Sequence, residues 1–103
     1  MKRLYIKYDT SLKELFNNFL TSRKALGAQE KTIKTYSAHF QAMTHYLDQY
    51  EPISQLQKVE IEEMIVRMRE KGLSPNSIKS YLITLRAFLR WCKDEGYCDI
   101  TIL

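Results

Sequence analysis

Gly72-Leu-Ser-Pro-Asn-Ser-Ile-Lys-Ser-Tyr-Leu-Ile-Thr-Leu-Arg-Ala-Phe-Leu-Arg-Trp-Cys-Lys-Asp-Glu-Gly96 is the stretch that decides the fold. It predicts one long helix with its own start and stop signals. Ser74 is a strong N-cap, and Pro75 falls at the first helical position, where a missing N–H costs nothing. Gly96 stands where helices end in the left-handed conformation. Between these marks Ile78, Leu82, Leu85, Leu89 and Cys92 recur at steps of three and four, with Tyr81 and Phe88 widening the stripe. The opposite side carries Lys79, Arg86, Arg90 and Lys93, and no acidic residue occurs from Leu73 to Lys93. One face is therefore built for a core, and the other offers positive charge.

Three further amphipathic segments precede this one. Ser11 and Glu14 form a capping-box pattern ahead of Leu12, Leu15, Phe16, Phe19, Leu20 and Leu26, and Gly27 stops that helix. A second helix is expected from about Gln29 to about Gln49. It places Ile33, Tyr36, Phe40, Met43, Leu47 and Tyr50 on one face, with Lys31, Lys34, Thr35, Ala38, Gln41, Ala42 and His45 on the other. No carboxylate occurs from Lys31 to Leu47. Pro52 breaks the chain, Ile53 and Leu56 plug the connection, and a third helix follows over about Lys58 to Lys71. That helix turns Ile61, Met64, Ile65 and Met68 inward and concentrates the acids Glu60, Glu62 and Glu63 in its first turns, at the positive end of its dipole. Residues 1–10 alternate apolar and polar side chains and read as an extended arm, 11–96 as the helical domain, and 97–103 as the start of a linker. The expected fold is all-α, a compact four-helix bundle with a short N-terminal extended arm.

With 103 residues, 45% hydrophobic and 27% charged, the chain suffices for one domain with one core, and its composition excludes disorder. The net charge of +4 fits a polyanionic partner, although placement of charge matters more than its sum. Cys92 and Cys98 match neither a zinc pattern nor a disulfide framework and read as thiols of a reducing cytoplasm. No signal peptide or membrane-spanning run is visible.

The residues give no catalytic constellation. His39 and His45 fall on different faces of the second helix, and Glu62 and Glu63 are adjacent and so point apart. There is no glycine-rich phosphate loop, nucleophile elbow or HExxH. No cofactor or metal is expected, and the chain by itself reads as a non-enzyme. Two acid-free polar faces rich in Lys, Arg, Ser, Thr and Gln suit phosphate contact, and the Ser74–Ser80 helix start adds free N–H groups for an anion. On periodicity and charge alone this reading stands level with a helical protein-interaction or regulatory module.

Leu73-Ser-Pro-Asn-Ser-Ile-Lys79 through Leu85-Arg-Ala-Phe-Leu-Arg-Trp91 resembles the last helix of the SAM-like, core-binding domain of phage integrases, the tyrosine recombinases. Glu30-Lys-Thr-Ile-Lys-Thr-Tyr36 resembles that domain's second helix, Leu12–Leu20 its first and Leu56–Ile65 its third. In the third, Lys58 stands where the family usually has a Ser or Thr cap. The resemblance covers about residues 11–98. It implies site-specific binding of double-stranded DNA in support of integration and recombination, with the second and fourth helices against the major groove. Carried onto this chain, the DNA contacts are Lys31, Thr32, Lys34, Thr35, Ser74, Asn76, Ser77, Lys79, Ser80 and Arg86, while Arg90 and Lys93 lie further along. It also implies that the catalytic arginines, His-x-x-Arg segment and tyrosine nucleophile belong to another domain, that the parent assembles as a tetramer on DNA, and that this fragment alone is a monomer. The implied setting is the cytoplasm of a bacterium, encoded there or by a phage.

Overall fold

The computed structural model describes residues 10–98, which form four α-helices: α1 Leu12–Ala25, α2 Glu30–Met43, α3 Lys58–Glu70 and α4 Pro75–Asp94. A single 3-10 turn, Ile53–Gln55, interrupts the connection between α2 and α3. The fold is all-α, and among the described residues the only β feature is an isolated bridge between Ser11 and Pro52. Residues 1–9 of the expected arm and 99–103 of the expected linker lie outside the described residues.

α4 organises the packing, touching each of the other three helices. Its inner side buries Ile78, Leu85, Phe88, Leu89 and Cys92, together with Thr84 and Trp91, which the apolar stripe alone did not mark. The core is dense in aromatic rings. Phe16 stacks on Phe40 with centroids 4.1 Å apart and meets Phe88 at 5.2 Å, and Phe19 lies within 5.8 Å of both Phe88 and Trp91. Each fully buried Phe contributes on the order of 1.5–3 kcal/mol of transfer free energy, so α1, α2 and α4 are held mainly by this cluster. α3 closes the other side of α4 with Ile61, Met64 and Met68.

The helix ends follow their local chemistry. Ser74 Oγ accepts from the Ser77 N–H at 3.1 Å, and Ser11 Oγ accepts from the Glu14 N–H at 3.2 Å. The first N–H groups of α1 would otherwise lack partners. Those of Leu12 and Lys13 donate to the carbonyls of Glu51 and Gln49, at 3.0 and 2.8 Å, so the α2–α3 connection runs past the start of α1. Thr10 is tied into the same connection, its carbonyl accepting from the Ile53 N–H at 2.9 Å. α1, α3 and α4 each end in the same motif: at α4, Gly96 (φ 83°) lets its N–H reach the Lys93 carbonyl while the Tyr97 N–H reaches Cys92. Tyr97 and Cys98, where the linker was expected to begin, pack onto the bundle, with the Tyr97 ring stacked 5.5 Å from Trp91.

Three expectations need correction. α2 stops at Met43, about six residues before its expected end, because polar side chains compete for the backbone there. Thr44 Oγ1 donates to the Gln41 carbonyl at 2.6 Å, Asp48 accepts from the Tyr50 N–H at 2.9 Å, and Arg67 of α3 takes the Tyr46 carbonyl at 3.1 Å. Tyr50 therefore loses the helical register and is 67% exposed, its ring 5.3 Å from the Lys13 ammonium, and His45 lies in a turn and not on a helix face. Leu26 keeps the angle of the α1 stripe, but as the C-cap residue it sits at the tip of the α1–α2 turn, 75% exposed. Lys58 is the first residue of α3 and not its cap. The cap is Gln57, whose N–H donates to the Glu60 carboxylate at 2.6 Å.

Candidate nucleic-acid interface

The expected contact residues come from two helices. On α2, Thr32, Thr35 and His39 recur at steps of three and four and share one flank. His39 Nδ1 is hydrogen-bonded to Thr84 Oγ1 at 2.7 Å, and its ring meets the edge of Tyr81 at 5.2 Å, so this flank faces α4. Thr84 is almost fully buried, and the bond to His39 satisfies its hydroxyl where water cannot reach. Burial holds the His39 pKa below the ordinary imidazole value, which keeps the ring neutral in this bond. The α4 flank that carries Thr84 also carries Ser77 and Ser80, at three- and four-residue steps along the helix. Thr32 and Thr35 share the α2 flank of His39, Thr35 exposed on it, and Ser77 and Ser80 share the α4 flank of Thr84.

The charged members point outward. Lys31, Lys34 and Thr35 line one shallow concavity of about 420 Å³ with Glu30 and Ala38. Asn76, Lys79 and Arg86 lie on the exposed side of α4. Arg86 opens into a second concavity, a cleft of about 370 Å³ between α1 and α4. The two concavities are separate, so the structure brings Lys31 and Lys34 together, and Arg86 with other arginines, without joining the two groups in one pocket.

Several hydroxyls already have work in the fold. Ser74 caps α4 and also donates from Oγ to Ser77 Oγ at 3.1 Å, and Thr35 Oγ1 donates to the Lys31 carbonyl at 3.0 Å. The remaining lone pairs of Ser74 and Thr35 accept only, so toward a phosphate oxygen the donors of this region are the hydroxyls of Thr32, Ser77 and Ser80 and the side chains of Lys31, Lys34, Asn76, Lys79 and Arg86. The N-terminus of α4 adds its dipole on the same side as Asn76.

The residue that sequence reasoning missed is Arg23. It follows Phe16 and Phe19 at seven and four residues on the buried stripe of α1, and its guanidinium lies 5.2 Å from the Phe19 ring centroid. A cation on an apolar stripe was the available signal. Arg90, a plausible contact further along α4, lines the same cleft as Arg23 and Arg86.

Among the described residues no three His, Cys, Asp or Glu side chains gather as a metal site, and no helix is long and apolar enough to cross a membrane. The Cys92 thiol is buried and hydrogen-bonded to Cys98, and both effects push its pKa upward, so it is a poor nucleophile. Neither the curated proteins nor the solved structures give a match to this chain. The family of the N-terminal SAM-like domain of phage integrases matches residues 11–96, and the chain belongs to that family.

Proposed function

We propose that this chain is the DNA-holding, non-catalytic part of a tyrosine recombinase. It grips double-stranded DNA with the polar faces of α2 and α4 and leaves strand cleavage to a separate domain of its parent. The observation that carries the reading is the distribution of charge. Lys31, Lys34, Lys79 and Arg86 are all exposed, on faces that hold no carboxylate between Lys31 and Met43 or between Pro75 and Lys93. Such faces bind the phosphate backbone first. Thr32, Thr35, Ser77 and Ser80, with their short side chains, let the α2–α4 flank approach a groove wall closely. Modest base reading by the α4 start at Asn76 is the finer part of the same proposal. The recombination context is supported by the family. On this reading the parent works as a tetramer on its site in the cytoplasm, while the isolated chain is a monomer of modest affinity, because the parent holds DNA from two sides.

The test is a fluorescence-anisotropy titration of a labelled duplex with the 103-residue chain at several salt concentrations. Log affinity should fall linearly with log salt, with a slope set by the phosphates neutralised. Absence of binding at low salt, or a flat slope, contradicts the proposal. A protein-interaction role has one observation in its favour, the exposed pair Val59 and Val66 on α3, each about half accessible. That role would leave the salt slope flat.

A further inference from the structure

The α1–α4 cleft is the part of the surface where cationic side chains from two helices converge. Arg23 reaches it from the last turns of α1, and Arg86 and Arg90 reach it from one exposed stripe of α4. Asp94 is the one carboxylate among the lining residues. Three guanidiniums against one carboxylate leave the concavity net positive, which favours an added anion.

Arg23 is the unusual member. Its position on the buried stripe seats it over Phe19, and its Nε is buried with no hydrogen-bond partner. Part of its charge is therefore already out of water, so an anion meets a guanidinium that it need not fully dehydrate. Phe19 also touches Trp91 of α4, which lines the cleft, so the ring that supports Arg23 also ties it to the Arg86–Arg90 stripe. Exposed Ile83 adds an apolar wall beside the charges. Planar guanidinium forks on a partly apolar floor suit a phosphodiester, whose charged oxygens sit beside apolar sugar carbons.

We infer that this cleft seats one backbone phosphate of the bound DNA, with Arg23 of α1 acting together with Arg86 and Arg90 of α4. The inference rests on the DNA-binding reading above. It extends the contact surface beyond α2 and α4 to a residue of α1, and it returns Arg90 to the set of contacts. Lys79 and Arg90 are eleven residues apart, about 16 Å along the helix. The phosphate in the cleft would therefore be a separate contact from the one at Lys79.

The test is duplex binding across salt by Arg23→Gln, Arg90→Gln and the double variant of the 103-residue chain, beside Lys34→Glu with Lys79→Glu. Each single arginine variant should weaken binding several-fold and lower the salt slope by up to about one. The double variant should fall short of the summed effect, because both side chains act on one phosphate. Arg90 is exposed, so its variant carries the test even if loss of the Arg23–Phe19 contact perturbs folding. Wild-type affinity and slope in Arg90→Gln and Arg23→Gln, with weakened binding by the lysine variant, would overturn the cleft and leave the DNA reading standing. A wild-type chain that binds no duplex would overturn both. Side-chain NMR of the three arginine Nε–H groups separates the sources of phosphate. They should shift together with duplex at concentrations where inorganic phosphate does nothing, whereas coincident shifts with inorganic phosphate alone would make the cleft a free-anion site and overturn the DNA assignment.

Discussion

α3 and α4 lie side by side in the same bundle, yet they treat charge in opposite ways. α3 mixes Lys58, Arg67 and Arg69 with Glu60, Glu62, Glu63 and Glu70, an outer surface near neutrality. α4 carries Lys79, Arg86, Arg90 and Lys93 against a single acid, Asp94, in its last turn. Their inner sides are alike, each a stripe of large apolar residues packed at the α3–α4 contact and beyond. The pair teaches that the net charge of +4 is not spread evenly over the molecule. α4 alone carries a net +3, while α3, a neighbour of similar amphipathic design, carries −1. A merely soluble basic protein has no need of that segregation.

The largest effect that would break the comparison is on the inner side. Phe88 touches Phe16 and Phe19 and is nearly inaccessible. Phe88→Ala should cost about 3–5 kcal/mol in chemical denaturation, a large share of a small domain's stability. Met64→Ala on α3 should cost less, about 2–3 kcal/mol, because the flexible α3 side chains repack more readily. Equal losses would contradict the view that the aromatic cluster under α4 dominates the core.

A smaller effect lies at the α2–α4 contact. Thr84→Val keeps the shape but leaves His39 Nδ1 without its partner, and should cost about 1–2 kcal/mol. The pH dependence follows from the same pair. The His39 pKa is lowered in the fold, so as pH falls below about 6.5 the unfolded chain takes up the proton first. The stability contributed by neutral His39 is therefore complete above that value and drains away as pH falls through the lower folded pKa. A melting series from pH 7.5 to 5 should show wild type losing more stability than His39→Gln, and parallel curves would remove His39 from the account.

The smallest effects sharpen the contrast in how the two helices begin. Ser74→Ala removes the side-chain cap of α4 and should cost about 0.5–1 kcal/mol. Gln57→Ala at the start of α3 should cost only a few tenths, because the short bond from the Gln57 backbone to Glu60 survives and the side chain loses only a long 3.4 Å bond from Nε2 to the Ser54 carbonyl. Reversal of that order in thermal melts would show that the α3 cap relies on the Gln57 side chain.

Most of the fold was legible because each helix carries its own punctuation. Ser11 and Ser74 cap as their types imply, and Gly27, Gly72 and Gly96 all adopt positive φ at helix ends. The end of α2 was only partly legible: Thr44 and Asp48 bond the backbone locally, but Arg67 takes the Tyr46 carbonyl only once α3 is in place. The exposure of Leu26 likewise depends on where the packed bundle stops, which periodicity alone does not record. For the candidate site, the outward placing of Lys31, Lys34, Lys79 and Arg86 followed from helix geometry, and so did their grouping by helix. Arg23 escaped because its place is decided by a ring one turn away and by two arginines on another helix. Long-range convergence of like charges leaves no local signature.

The central claim is that the acid-free faces of α2 and α4, and not the overall basicity of the chain, hold DNA. Duplex anisotropy at low salt should compare wild type with Lys34→Glu/Lys79→Glu and with Glu62→Lys/Glu63→Lys on α3. The first pair lowers net charge by four and the second raises it by four. The account predicts at least about a tenfold loss of affinity and a shallower salt slope in the first, with no more than a modest gain from long-range attraction in the second. Unchanged affinity on reversing Lys34 and Lys79, or equal and opposite effects of the two pairs, would contradict it.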